Sequence, residues 1–170
     1  MRSTTGNLLV ATPNGGDPNF DGTVVFVIDH DEDGALGVVV NRPTETPVGM
    51  HLPELAEAVS APDVFFEGGP VAPDNVLGVG RMGDHLALVD LEAVSAGESR
   101  PDGLRLFAGY SGWGPGQLDS ELLAGAWIVV EGFDGDVLGP RPEQLWREVL
   151  RRQGGATGRL ALYPDSPMMN

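Results

Sequence analysis

Three short segments place polar or aromatic side chains directly beside glycine or proline: Asn41-Arg42-Pro43, Glu67-Gly68-Gly69-Pro70, and Gly109-Tyr110-Ser111-Gly112-Trp113-Gly114-Pro115-Gly116-Gln117-Leu118. Glycine lets a backbone turn tightly or approach another group closely. Aromatic rings beside it offer flat apolar area with one polar tip each. An arginine after a buried strand presents five donors in a fixed fork suited to a carboxylate or phosphate. These residue types describe recognition. Tyr110 and Trp113 would stack on a ligand or partner, Gln117 would hydrogen-bond it, and Arg42 would pair with an acidic group. Asn41, Pro43, Glu67, Gly68 and Gly69 would complete the cleft. Each segment also has a plainer reading: a structural salt bridge for Arg42, a tight turn at 67–70, and an awkward corner of the chain at 109–118.

Sharper chemistries fail on spacing. Asp29-x-Asp31-x-Asp33-Gly34 matches the first half of a calcium loop, but the twelfth position is Val40, where a bidentate Glu is required. That segment reads as an acidic hairpin turn. Ser111 invites a nucleophile-elbow reading, yet Trp113 stands where the elbow needs glycine, and no His follows Ser111. A P-loop is ruled out for want of any Lys, and Gly112-x-Gly114-x-Gly116 lacks the third glycine in dinucleotide register. His30, His51 and His85 share no ligand motif, so no metal site is expected. His30 does sit where a strand meets a turn, a common location for functional groups. It is the candidate general base of an alternative reading, an enzyme acting on a small metabolite, which requires His30 to reach the same cleft.

Composition sets the outer limits. Of 170 residues, 41% are hydrophobic and 21% charged, which describes an ordinary folded chain of one domain's length. The formal net charge is −15, and all ten basic residues are Arg, scattered along the chain. Such a field repels phosphate backbones, and no basic patch offsets it, so direct DNA binding is not expected. Without Cys there is no thiol catalysis and no disulfide. Residues 1–6 lack an apolar signal core, and no apolar run approaches membrane-spanning length. The expectation is a cytoplasmic protein with no cofactor and no membrane association, a monomer or weak homodimer, whose partner is a small molecule or another protein.

The elements that must position these residues are short, as 25 glycines and 14 prolines require. Strands are expected at 7–11, 23–28, 38–40, 64–66, 76–79, 86–89, 104–108 and 127–130. The run 23–28 is β-branched and apolar on both faces, which marks a central strand with 38–40 as its hairpin partner. Helices are expected at 52–59, 91–96 and 118–123, and most securely at 142–152, where Leu145, Trp146, Val149 and Leu150 form a buried stripe. Glu143–Arg147 and Glu148–Arg152 are i,i+4 pairs on that last helix. Turn residues cluster at 12–16, a loop is expected at 109–118, and the tail from Leu160 is expected to lie along the surface. Strands outnumber helices without regular alternation, which argues α+β in a single domain spanning 1–170.

Several of these pieces form one order: Asn7-Leu8-Leu9-Val10-Ala11-Thr12-Pro13, Asp17-Pro18-Asn19-Phe20, His30, Gly37-Val38-Val39-Val40-Asn41-Arg42-Pro43, and Glu67-Gly68-Gly69-Pro70-Val71. Phe107 through Leu118, Glu121, Gly125-Ala126-Trp127, and Trp146 with Leu150-Arg151-Arg152 follow. The whole resembles the YqgE/AlgH family, also called DUF179 or UPF0301. The resemblance implies an α+β fold with a mixed, bifurcated and partly barrel-like β-sheet surrounded by helices. It implies a bacterial cytoplasmic protein from a family defined by sequence rather than by a reaction, one branch of which carries the label of transcriptional regulator. Ser111 departs from the family's usual Ala, and 72–101 matches only loosely. The leading expectation is therefore a non-enzymatic ligand- or partner-binding protein with an indirect regulatory role.

Overall fold

The run Val24–Asp31 is buried on both faces for its first four residues, so neighbours must cover it on both sides and at both edges. In the computed structural model, which describes residues 2–13 and 18–162, they do. Strand β1 (Leu8–Ala11) pairs antiparallel with this strand, β2, which turns at Glu32-Asp33 into β3 (Gly34–Val39). The acidic segment is thus a hairpin turn, as expected. Next come β4 (Pro43–Pro47), α1 (Val48–His51), a 3-10 turn at Pro53–Leu55, and β5 (Val64–Glu67). The hairpin β6 (Val71–Met82) and β7 (His85–Val89) precedes α2 (Leu91–Ser95) and β8 (Leu104–Trp113). The chain continues through α3 (Gln117–Leu123), β9 (Trp127–Val130), α4 (Asp134–Leu138), a 3-10 turn at Pro142–Gln144, α5 (Leu145–Gln153) and α6 (Gly155–Arg159).

Among the described residues nine strands join one mixed sheet in the order β4-β5-β8-β3-β2-β1-β9, with the β6–β7 hairpin branching from β8. Strand β8 is the fork. Its first half lies between β5, parallel at Phe66–Phe107, and β6, antiparallel from Leu104 to Ala108. Its last three residues pair instead with β3, Ser111 against Gly37 and Trp113 against Ala35. The curled, forked α+β sheet is the architecture expected from the family resemblance.

The fork corrects the largest sequence expectation. Residues 109–113 are the end of a strand rather than a loop; only Gly114-Pro115-Gly116 turns, before α3. Gly109 sits at φ +78, and a Cβ there would meet Gly69 O at 2.6 Å. Gly69, at φ +152, would carry a Cβ into the Tyr110 carbonyl. Two backbones cross here at a separation that only glycine permits. Hydrogen bonds hold the crossing: Gly68 N–H donates to Ala108 O (2.9 Å), and Gly68 O accepts from Val39 N–H (2.9 Å) and Ser111 Oγ (3.1 Å).

Other differences are local. The expected helix at 52–59 is instead α1, ending at His51, followed by the single turn at Pro53–Leu55. Leu52 leaves helical geometry (φ −130°, ψ 68°), the extended side of the map that a following proline favours. Strand β4 and helix α4 were not expected. Ala161 is buried and Leu160 packs against the core, so the tail begins packed rather than on the surface. The turn reading at 14–16 and the surface reading at 163–170 lie outside the described residues.

Three cores result. Helix α5 lays Leu145, Trp146, Val149 and Leu150 against one sheet face with Leu8, Val10, Phe26 and Phe107, and Trp146 Nε1 donates to Ala11 O at 3.1 Å. On the opposite face Trp113, Leu118 and Trp127 pack with Leu9, Val25, Val27 and Val39. A third core beneath α1 and α2 contains Val48, Leu55, Phe65, Leu104 and Leu106. Arg105 is fully buried, with no carboxylate paired to it among the described residues. Nη1 donates to Val137 O (2.7 Å) and Gly139 O (3.0 Å), Nη2 donates to Ala61 O (2.6 Å), and the guanidinium lies 4.4 Å over the Phe66 ring. Burial pushes its pKa down to about 10. Arg152 donates to both oxygens of buried Asp136 at 2.7 Å, which raises its pKa further, so its ion pair is with α4 rather than with Glu148.

Candidate functional site

Alternation along β8 decides which aromatic residues share a surface. Trp113 and Tyr110 are three residues apart in a strand, so they point to opposite faces. Trp113 joins the core under α3, whereas Tyr110 packs, half-buried, against the α5 side. After Trp113 the chain turns through Gly116 (φ +73), and Gln117 Oε1 closes the turn by accepting from Gly114 N–H at 3.0 Å. Helix α3 then sets Glu121 one turn beyond Gln117, and Gln117 Nε2 donates to Glu121 Oε2 at 3.0 Å.

The other oxygen of Glu121 accepts two indoles, Trp113 Nε1 at 3.1 Å and Trp127 Nε1 at 2.8 Å. Both tryptophans are nearly buried, and their N–H groups require acceptors. Phe20 completes the aromatic group. Its ring lies nearly parallel to Trp113 at 6.4 Å and edge-on to Trp127 at 5.4 Å. Phe20, Trp113, Trp127, Gln117 and Glu121 line a depression of about 430 Å³, together with Ala11, Thr12, Asp21, Pro70, Gly112, Ala124 and Ala126. A second depression of about 250 Å³ adjoins it, lined by Pro18, Phe20, Arg42, Glu67, Gly69 and Pro70. Phe20 and Pro70 line both.

The expected cleft residues therefore divide. Arg42, Glu67 and Gly69 line the smaller depression; Trp113 and Gln117 line the larger. Asn41 is a backbone clamp: Oδ1 accepts from Val24 N–H (3.0 Å) and Nδ2 donates to Gly22 O (2.9 Å). Pro43 opens β4 opposite Phe66, Gly68 is consumed by the strand crossing, and Tyr110 lines neither depression. Arg42 Nη2 donates to Asp21 O at 3.3 Å, on the rim between the two hollows.

His30 lines neither depression. Its side chain is buried, Nδ1 accepts from Thr4 N–H at 3.0 Å, and Nε2 lies 3.5 Å from Asp119 Oδ1. A base needs a free nitrogen facing substrate, and both ring nitrogens here face the protein. Ser111 is likewise occupied, donating to Gly68 O. Among the described residues no three His, Asp or Glu side chains gather as a metal site, and no helix is long and apolar enough to cross a membrane.

Phe20, Asp21, Glu121 and Trp127 escape a reading by local segment. Their signal was present as two tryptophans flanking a short helix with Gln117 and Glu121 at i,i+4, a pattern that becomes a site only when the helix folds back.

The same arrangement of elements recurs in known proteins. A UPF0301 protein of Streptomyces coelicolor is 51% identical over all of this chain and 97% of its own length. One from Thermobifida fusca is 44% identical over 99% and 96%. A crystal structure of a protein from Corynebacterium diphtheriae superposes with a TM-score of 0.84 at 28% identity, covering 94% of this chain and 92% of that one. The solution structure of the AlgH protein from Pseudomonas aeruginosa does so at 0.73 and 27%, covering 96% of each. A family model described as DUF179, AlgH-like, matches residues 8–158, and the chain belongs to that family.

Proposed function

We propose that this protein is a non-enzymatic binding protein whose site is the double depression between α3, the 18–21 segment before β2 and the 67–70 segment. One observation carries the reading: Phe20 and Pro70 line both hollows, so Arg42, Glu67, Trp113 and Gln117 border one continuous surface. The larger hollow has the volume and the mixed aromatic and polar wall of a small-molecule site. Among the described residues no histidine lines either hollow, and Glu121 is engaged by Trp113, Trp127 and Gln117, which supports binding over catalysis. A regulatory effect on transcription, the label borne by one branch of the family, fits this reading through a protein partner. A surface of net charge −15 opposes direct contact with phosphate backbones. The reading places the protein in the cytoplasm, as a monomer or weak homodimer.

Ala124 stands exposed at the mouth of the larger hollow, so Ala124→Trp fills it without entering the core. Native mass spectrometry of freshly purified protein should reveal a retained small molecule or partner that this variant loses while keeping its melting temperature. Retention of the same molecule by Ala124→Trp counts against the site.

A further inference from the structure

The larger hollow has spent its side-chain donors on itself. Both indole N–H groups point to Glu121 Oε1, Gln117 Nε2 donates to Glu121 Oε2, and Thr12 Oγ1 donates to Gly125 O at 2.8 Å. Among the described side chains that line it, only the second amide hydrogen of Gln117 remains. Acceptors, by contrast, are left over. A carboxylate has about four lone-pair sites, and Glu121 uses three, two on Oε1 and one on Oε2. Asp21 is a second acidic residue of the lining, and Arg42, which lines the smaller hollow, reaches the Asp21 backbone carbonyl at 3.3 Å. Next to these acceptors lie the rings of Phe20, Trp113 and Trp127, whose π-faces attract cations.

A ligand matched to this wall brings positive charge, several N–H donors and a flat delocalised group. Resting on the binding reading above, we propose that the larger hollow recognises a guanidinium or amidinium cation, its plane against the aromatic group and its N–H groups on Glu121 Oε2 and Asp21. An anion meets two acidic residues there and a single amide hydrogen, that of Gln117. A neutral amide finds acceptors and forgoes the charge attraction. The same cation can arrive on a free metabolite or on an arginine side chain of a partner.

Phenylguanidinium, its neutral isostere phenylurea and the anion phenylacetate separate these cases when titrated against the full chain with tryptophan emission as readout. Phenylguanidinium is expected to bind more tightly than phenylurea by about tenfold, the ratio that ~1.4 kcal/mol produces. Phenylacetate is expected not to bind. The preference should shrink near 1 M salt, where the screening length falls to about 3 Å, and in Asp21→Asn, whose melting temperature should stay unchanged. A capped peptide with a single Arg binding more tightly than phenylguanidinium assigns the cation to a protein partner; weaker binding assigns it to a free small molecule. Equal binding of phenylurea and phenylguanidinium, blocked by Ala124→Trp, overturns the cation while leaving a binding cleft. Tighter binding of phenylacetate overturns the cation too. No emission change with any of the three compounds or the peptide overturns the cation and the cleft together.

Discussion

Trp113 and Trp127, fourteen positions apart in the chain, place their indole N–H groups on the same oxygen atom, Oε1 of Glu121, at 3.1 and 2.8 Å. The shared acceptor ties the end of β8 to the start of β9 through α3. Removing it in Glu121→Ala strands two nearly buried donors, at a cost of about 1–3 kcal/mol. Thermal unfolding should show that loss, accompanied by a changed near-ultraviolet circular dichroism signal. An unchanged signal would mean that packing alone sets the two rings.

Backbone crossing at the fork makes a contrasting pair of expectations. Gly109→Ala must displace Gly69 and Val71 backbone atoms, so a loss of about 3 kcal/mol or more, or failure to fold, is expected. Ala72, three residues beyond Gly69, has φ +47, a conformation glycine adopts without penalty. Ala72→Gly should therefore be neutral or stabilising by up to ~1 kcal/mol. Denaturant unfolding of both variants tests whether the crossing, rather than general glycine content, controls stability.

Arg105 gathers three carbonyls from two segments, Ala61 and 137–139, and pairs with no carboxylate among the described residues. Arg105→Met should cost about 3 kcal/mol, because Val137, Gly139 and Ala61 lose their donors. The pH response carries a definite sign. Its pKa is lower folded, about 10, than unfolded, so above pH 10 the unfolded chain holds the proton more readily. Stability from this group then rises with pH. The gap between the wild-type protein and Arg105→Met should widen from pH 9 to about pH 11; a narrowing gap would contradict the buried-charge account.

Arg152 supplies a comparison of a local pair with a distant one. Asp136 accepts both Arg152 bonds and also Phe133 N–H at 2.8 Å, while Glu148 makes no bond to Arg152. Asp136→Ala is expected to cost about 1–3 kcal/mol, with the ion-pair part reduced because Arg152 is one-third exposed. Glu148→Ala should change stability by less than about 0.5 kcal/mol. Equal losses would restore the helix-internal pair.

Much of the molecule was legible residue by residue. Alternation and β-branched runs located β1, β2, β5, β7 and β9, because burial demands their patterns wherever the strands pair. The stripe Leu145, Trp146, Val149 and Leu150 did the same for α5. Residues 109–113 resisted, since glycine locally disfavours a strand; pairing with β3 and passage across 67–70 override that preference. The misreading carried through to the site, because a loop can aim Tyr110 and Trp113 together and a strand cannot.

By itself the sequence determined the family, the α+β class, the acidic surface and the set of polar and aromatic residues available for recognition. Local propensity, burial pattern and composition carry that information. Only the tertiary structure decided that Tyr110 leaves the cleft, that Asn41 and His30 face inward, and that Phe20, Glu121 and Trp127 join Trp113. Those outcomes depend on which segments cross at β8 and on where α3 folds back. Contacts between residues tens of positions apart leave no periodic trace in the chain that makes them.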